Sequence, residues 1–176
     1  MARWNGYALM SSCGTYRYEF GGEIGPSEPL LAITRAAHVI LWIMLNPSNA
    51  TASKDDPTLG TVVTFSELWG YNRLVVGNLY AYRTKSPKKM WDAMRTGVDI
   101  VGPENNTFLT QMVERVRDAG GRIMAAWGGD AQRERVREVA HLVGEMFCLK
   151  TNGDGSPTHP LYQPHDLVPV PWRIAA

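Results

Sequence analysis

Between His38 and Leu45 the chain reads His-Val-Ile-Leu-Trp-Ile-Met-Leu, a nearly unbroken apolar run bounded by polar residues. A run of this length without alternation predicts a central strand buried on both faces. Leu74–Leu79 and Arg122–Trp127 have the same character, and Met146–Leu149 supplies a short fourth strand. Nearer the N-terminus, Thr15–Phe20 alternates polar and aromatic residues, which predicts a half-buried strand at a sheet edge.

Helical signals fill the gaps. Asp56 followed by Pro57 pairs an N-cap with proline at the first helical position, and the helix it opens is expected to end near Gly70. Ser86-Pro87 repeats that signal for a helix through Arg95. A third helix, from Pro103 to the Gly120-Gly121 pair, places Phe108, Leu109, Met112, Val113 and Val116 on one face. Asp130 is expected to cap a helix carrying Val136, Val139, Ala140 and Val143. Strands alternating with helices predict an α/β fold with a mainly parallel sheet. The Gly/Pro-rich tail beyond Leu149 is expected to be ordered only by packing on that body.

With 176 residues, 44% of them hydrophobic and 20% charged, the chain is sized for one core, so a single domain over residues 1–176 is expected. No apolar stretch approaches the roughly 18 to 20 residues of a membrane span, and Met1–Gly6 lacks the apolar run of a secretory signal. A cytoplasmic, monomeric protein with no membrane partner is the expectation. Cys13 and Cys148 stand far apart without metal-ligand spacing, which argues against a disulfide framework or zinc site. A net charge of +1 argues against a strongly basic nucleic-acid coat. One local basic patch stands out, Arg83, Lys85, Lys88 and Lys89 followed by Arg95; such a run is most simply a solvated face.

Candidate chemistry sits where open parallel sheets place their ligands, beyond the carboxyl ends of the strands. Asn46 follows the first core strand, Asn78 closes the second, Gly128-Gly129 follows the third and His159 lies beyond the fourth. The ordered series Leu45-Asn46-Pro47-Ser48, Asn78, Ala126-Trp127-Gly128-Gly129-Asp130-Ala131-Gln132 and His159-Pro160 resembles the uracil-DNA glycosylase superfamily over about residues 38–165. With Asp55-Asp56-Pro57-Thr58, Trp69-Gly70-Tyr71, Asn78–Arg83 and His159-Pro160-Leu161-Tyr162, the chain also looks like a bacterial and phage family of domains of unknown function. The superfamily resemblance implies a three-layer α/β/α sandwich around a central, mainly parallel four-stranded sheet. It also implies a DNA base N-glycosylase, a hydrolase that flips a pyrimidine or modified base into a strand-end pocket. Both repair and the metabolism of modified phage DNA fit such an activity.

Breaking an N-glycosidic bond requires a donor at the base oxygen and an ordered water at the anomeric carbon. The resemblance assigns leaving-group stabilisation to His159 and water placement to Asn46, whose amide cannot act as a general base. Asn at this position is similar to the mismatch-specific and single-strand-selective branches, whereas the fastest uracil enzymes carry Asp, implying a slower catalyst or a different substrate. Asn78 would read the base edge, with Leu45 and Ser48 beside it and Phe65 as the stacking ring. Asp55 is the candidate water activator, since helix capping accounts for Asp56. Leu161 and Tyr162 fall where the superfamily has a hydrophobic wedge, although the Ser-Pro that usually follows His-Pro is missing. Arg83 and Lys85 could reach a phosphate. The expected partner is single- or double-stranded DNA or a nucleotide, with no cofactor and no metal. The competing readings are a nucleic-acid or modified-nucleotide binding module that keeps the pocket without efficient catalysis, and an enzyme acting on a free nucleoside or nucleotide.

Overall fold

The computed structural model describes residues 5–25, 38–48 and 56–174. Among these residues seven strands form one mixed sheet: β1 (Asn5–Met10), β2 (Arg17–Glu23), β3 (Val39–Met44), β4 (Arg73–Asn78), β5 (Arg122–Ala125), β6 (Met146–Cys148) and β7 (Val170–Trp172). The helices are α1 (Pro57–Leu68), α2 (Pro87–Arg95), α3 (Asn105–Asp118) and α4 (Arg133–Val143). Across the sheet the order is β1-β2-β4-β3-β5-β6-β7. The inner strands β4, β3, β5 and β6 run parallel, and β2 and β7 join them antiparallel from either side.

Four parallel strands were the expectation, and they form the centre of a larger, seven-stranded sheet. Thr15–Phe20 is not the edge: β2 extends to Glu23 and pairs with β1 on one side and β4 on the other. The tail is likewise part of the sheet, because β7 pairs with β6 through Met146↔Trp172 to Cys148↔Val170. Trp172 is buried, packs edge-on to Trp127 at 5.0 Å and donates from Nε1 to the Gly155 carbonyl at 3.1 Å.

Alternation along the strands divides the core. Val39, Leu41, Ile43 and Val75 face α2, α3 and α4, whose contributions include Met90, Leu109, Met112, Val136 and Val139. Ile40, Trp42, Leu74 and Val76 face the other way, onto Val62 and Phe65 of α1. Helices thus cover both faces, as a parallel sheet requires. The cap reading holds at α1, where Asp56 Oδ1 accepts from the backbone N–H of Thr58 and Leu59, and at α2, where Ser86 Oγ accepts from Lys89 N–H. It fails at α4: the helix begins at Arg133 after Gln132, two residues beyond Asp130, which is exposed.

Candidate functional site

Period two decides which strand-end residues meet. Val76 and Asn78 lie on one face of β4, and Met44 with the following Asn46 lie on the same face of β3, with Met44 paired to Asn78 in register. All four line a pocket of about 120 Å³ together with Leu59 and Val62 of α1, Ser48, Asp56, Thr58 and His159. Leu45 is one residue out of phase, so it turns to the opposite face and joins the core beneath α2 and α3. It does not line the pocket.

Beyond their formal ends β3 and β4 stay zipped. Leu79 and Tyr80 donate to the Met44 and Leu45 carbonyls at 2.8 and 3.0 Å, and Thr84 N–H to the Pro47 carbonyl at 3.0 Å. Asn46 is fixed by this extension: its Nδ2 donates to the Thr84 carbonyl at 3.0 Å and to the Pro47 carbonyl at 3.2 Å. With both amide protons engaged, the side chain is left with Oδ1, an acceptor.

Asn78 is 3% exposed. None of the hydrogen bonds among the described residues engages its side-chain amide. Its backbone, by contrast, is firmly held. Asn105, fully buried on α3, donates from Nδ2 to the Asn78 and Leu79 carbonyls, each at 3.1 Å, and Arg135 of α4 donates from Nε to the Leu79 carbonyl at 2.8 Å. Sequence reading missed both anchors. Asn105 in an apolar helix face and Arg135 in a run of charged residues give no signal until the backbone they hold is known.

His159 arrives from the opposite side on the loop after β6. Thr158 binds the Lys150 carbonyl through its N–H at 2.9 Å and its hydroxyl at 3.2 Å, folding the segment back on itself. The next residue then lies against Gly128, where an added Cβ would stand 3.6 Å from the His159 Cβ and where φ is +77°. His159 Nδ1 accepts from Leu161 N–H at 3.3 Å. Burial lowers the imidazole pKa below its ordinary 6.5, with the Asp56 carboxylate opposing. A neutral ring whose Nδ1 accepts carries its proton on Nε2, so His159 is a donor.

Asp56 is the carboxylate of the pocket among the described residues. One oxygen caps α1 and the other accepts from Ser48 Oγ at 3.1 Å. Asp55, the expected water activator, lies outside the described residues. Phe65 is not the ring at the pocket: one turn past Val62, it is fully buried among Trp42, Trp69 and His165. The aromatic that lines the pocket is Phe20 of β2, accompanied by Arg17.

Leu161 and Tyr162 form the turn beyond His159, closed by Gln163 N–H on the Pro160 carbonyl at 3.2 Å. Tyr162 is 92% exposed and is the only non-glycine residue with positive φ among those described, at 64°. Arg83 donates to the Gly14 carbonyl at 2.8 Å, tying the β4 extension to the β1–β2 hairpin, while Lys85 is exposed. In the basic patch, Asp92 pairs with both Lys88 and Arg95.

The DUF1643 family, described as a protein of unknown function, matches residues 31–161, a span that includes Asn46, Asp56, Asn78 and His159. The chain belongs to the DUF1643 family. No curated protein and no solved structure matches it. In this DUF1643 chain Arg17 and Phe20 complete the pocket from outside the matched segment. No helix among the described residues is long and apolar enough to cross a membrane.

Proposed function

We propose that this chain is a DNA base N-glycosylase of the kind its uracil-DNA glycosylase-like motifs suggest, acting on a pyrimidine or modified base turned out of the strand into the pocket. The observation that carries the reading is the convergence of Asn46, Asn78 and His159 on one cavity. At about 120 Å³ that cavity suits a single small ring rather than the drug-sized ligands of the usual roughly 300–1,000 Å³ pockets. The unpaired Asn78 amide offers a donor and an acceptor to a base edge. His159 Nε2–H offers a donor to a base oxygen that gains charge as the bond breaks.

In hydrolysis the bond from C1′ to the base nitrogen breaks and its electron pair passes to the base, with His159 hydrogen-bonding the oxygen that takes up charge. Water held at Asn46 Oδ1 bonds C1′ through its oxygen. Its proton passes to solvent, and the departing base gains one in turn. No group in this scheme needs a cofactor.

One observation favours a second reading, a binding module with the same pocket: both Asp56 oxygens are engaged, so Asp56 is poorly placed to activate water. Oligonucleotides carrying uracil, hypoxanthine or hydroxymethyluracil, single- and double-stranded, separate the two. Abasic sites formed by the wild type and reduced at least ~100-fold in His159→Ala and Asn46→Ala support the glycosylase. Tight binding of one of these oligonucleotides without base release supports the binding module and rejects the enzyme.

A further inference from the structure

Hydrogen bonds made inside the pocket fix which sign of contact each wall has left for a ligand. The end of β3 and the start of α1 supply one wall. Thr84 N–H on the Pro47 carbonyl keeps the chain extended beyond Met44, so Asn46 and Ser48, two positions apart, reach the cavity from the same side. Asn46 spends both amide protons on the Thr84 and Pro47 carbonyls and keeps Oδ1. Ser48 spends its one proton on Asp56 Oδ2 at 3.1 Å, which leaves the lone pairs of Oγ. That bond cannot reverse, because a carboxylate only accepts. Nor is Asp56 free to turn away, since its Oδ1 caps α1 through Thr58 and Leu59 N–H at 2.9 and 3.2 Å.

The donors come from other elements. His159 accepts Leu161 N–H at Nδ1 and presents Nε2–H. Arg17, a donor only, reaches the cavity beside Phe20 because of a bulge in β2: Leu9 pairs with Glu19 and Met10 with Arg17, which leaves Tyr18 extra. Its guanidinium is engaged by other groups, the Phe20 ring among them, and adds no requirement of its own. Asn78 and Thr58 carry both a donor and an acceptor and adapt to either. The fixed demand on a ligand is therefore a donor toward Ser48 and an acceptor toward His159.

We propose that Ser48 is a specificity-determining residue: locked as an acceptor by Asp56, it selects a base that turns an exocyclic amino group toward it and a ring oxygen toward His159. This assignment rests on the reading of the cavity as a base site, and it narrows the base to an amino-bearing one. An amino group on a heterocycle is a donor, so it matches Oγ. A methyl group in the same place leaves Oγ without a partner, and a carbonyl sets two acceptors against each other.

Isothermal titration calorimetry of the full chain with two matched pairs, cytosine against uracil and 5-aminouracil against thymine, tests this. At least one amino-bearing base should bind the wild type roughly fivefold or more tightly than its partner. Ser48→Ala should abolish that preference. Asp56→Asn should abolish it too, with the serine still in place. Asn caps a helix as well as Asp does, and its Nδ2 would stand where Oδ2 now stands and donate to Ser48 Oγ, freeing the hydroxyl proton to face the base. If Asp56→Asn does not fold, loss of the preference in Ser48→Ala carries the proposal. Equal binding within both pairs, a preference that survives either substitution, or no binding of any of the four bases overturns it. Amino preference without base release from oligonucleotides would sink the glycosylase alone; release without amino preference would sink only the role of Ser48.

Discussion

Asn78 is 3% exposed and turns its side chain to the pocket wall, while its neighbours Asn46 and His159 are held by backbone groups. Two residues fixed by backbone groups thus share one cavity with Asn78, whose amide the proposed reading assigns to the base edge. His159 also gives the pocket a pH signature. Its pKa is lowered by burial, so as pH falls through 6.5 the unfolded chain takes up a proton that the native ring resists. The stability it contributes is full above 6.5 and is lost as pH falls toward the lower native value. Protonation at Nδ1 would also set two N–H groups against each other at Leu161. Unfolding free energies measured from about pH 7 down to about pH 5 should therefore fall more steeply in wild type than in His159→Gln. Equal slopes would contradict the assignment of a depressed imidazole pKa.

At the scale of elements, the end of β4 is held from behind by α3 and α4. Asn105→Ala would leave the Asn78 carbonyl without the amide it now binds, while Leu79 would keep its bond from Arg135. The expected cost is about 1–3 kcal/mol in chemical denaturation, accompanied by weaker binding of whichever free base the wild type takes up. A loss of stability with unchanged binding would show that Asn105 supports the helix alone. Elements also explain what the sequence made legible. Apolar runs located β3, β4, β5 and β6, and proline after a capping residue located the starts of α1 and α2. β1 escaped because Asn5 and Gly6 open it with residues depleted in strands, and β7 because three residues containing Pro171 carry too short a pattern. The bulge at Tyr18 was invisible for a different reason. Strict alternation in Thr15–Phe20 describes a regular strand, and only the pairing with β1 shows where the alternation breaks.

For the molecule as a whole, topology gathers the site. Parallel neighbours β3 and β4 bring Asn46 and Asn78 to one end of the sheet, and the loop after β6 returns His159 across Gly128 to meet them. That convergence was readable because ligand positions in parallel sheets follow strand ends. Phe65 and Leu45 were misplaced for want of two phases, the helical turn that carries Phe65 past the cavity and the strand parity that sends Leu45 to the other face. The antiparallel additions matter as well, since β2 brings Arg17 and Phe20 to a pocket that the parallel strands alone would leave open on that side. The most direct measurement is a crystal structure of the full chain with an oligonucleotide carrying a 2′-fluoro-arabino analogue of the base that it binds most tightly, a sugar that resists cleavage. The account predicts the base turned out of the strand into the pocket, its edge hydrogen-bonded to the Asn78 amide and a ring oxygen within about 3 Å of His159 Nε2. A base that remains stacked in the strand, or an oligonucleotide bound elsewhere with Asn78 still unpaired, would contradict it.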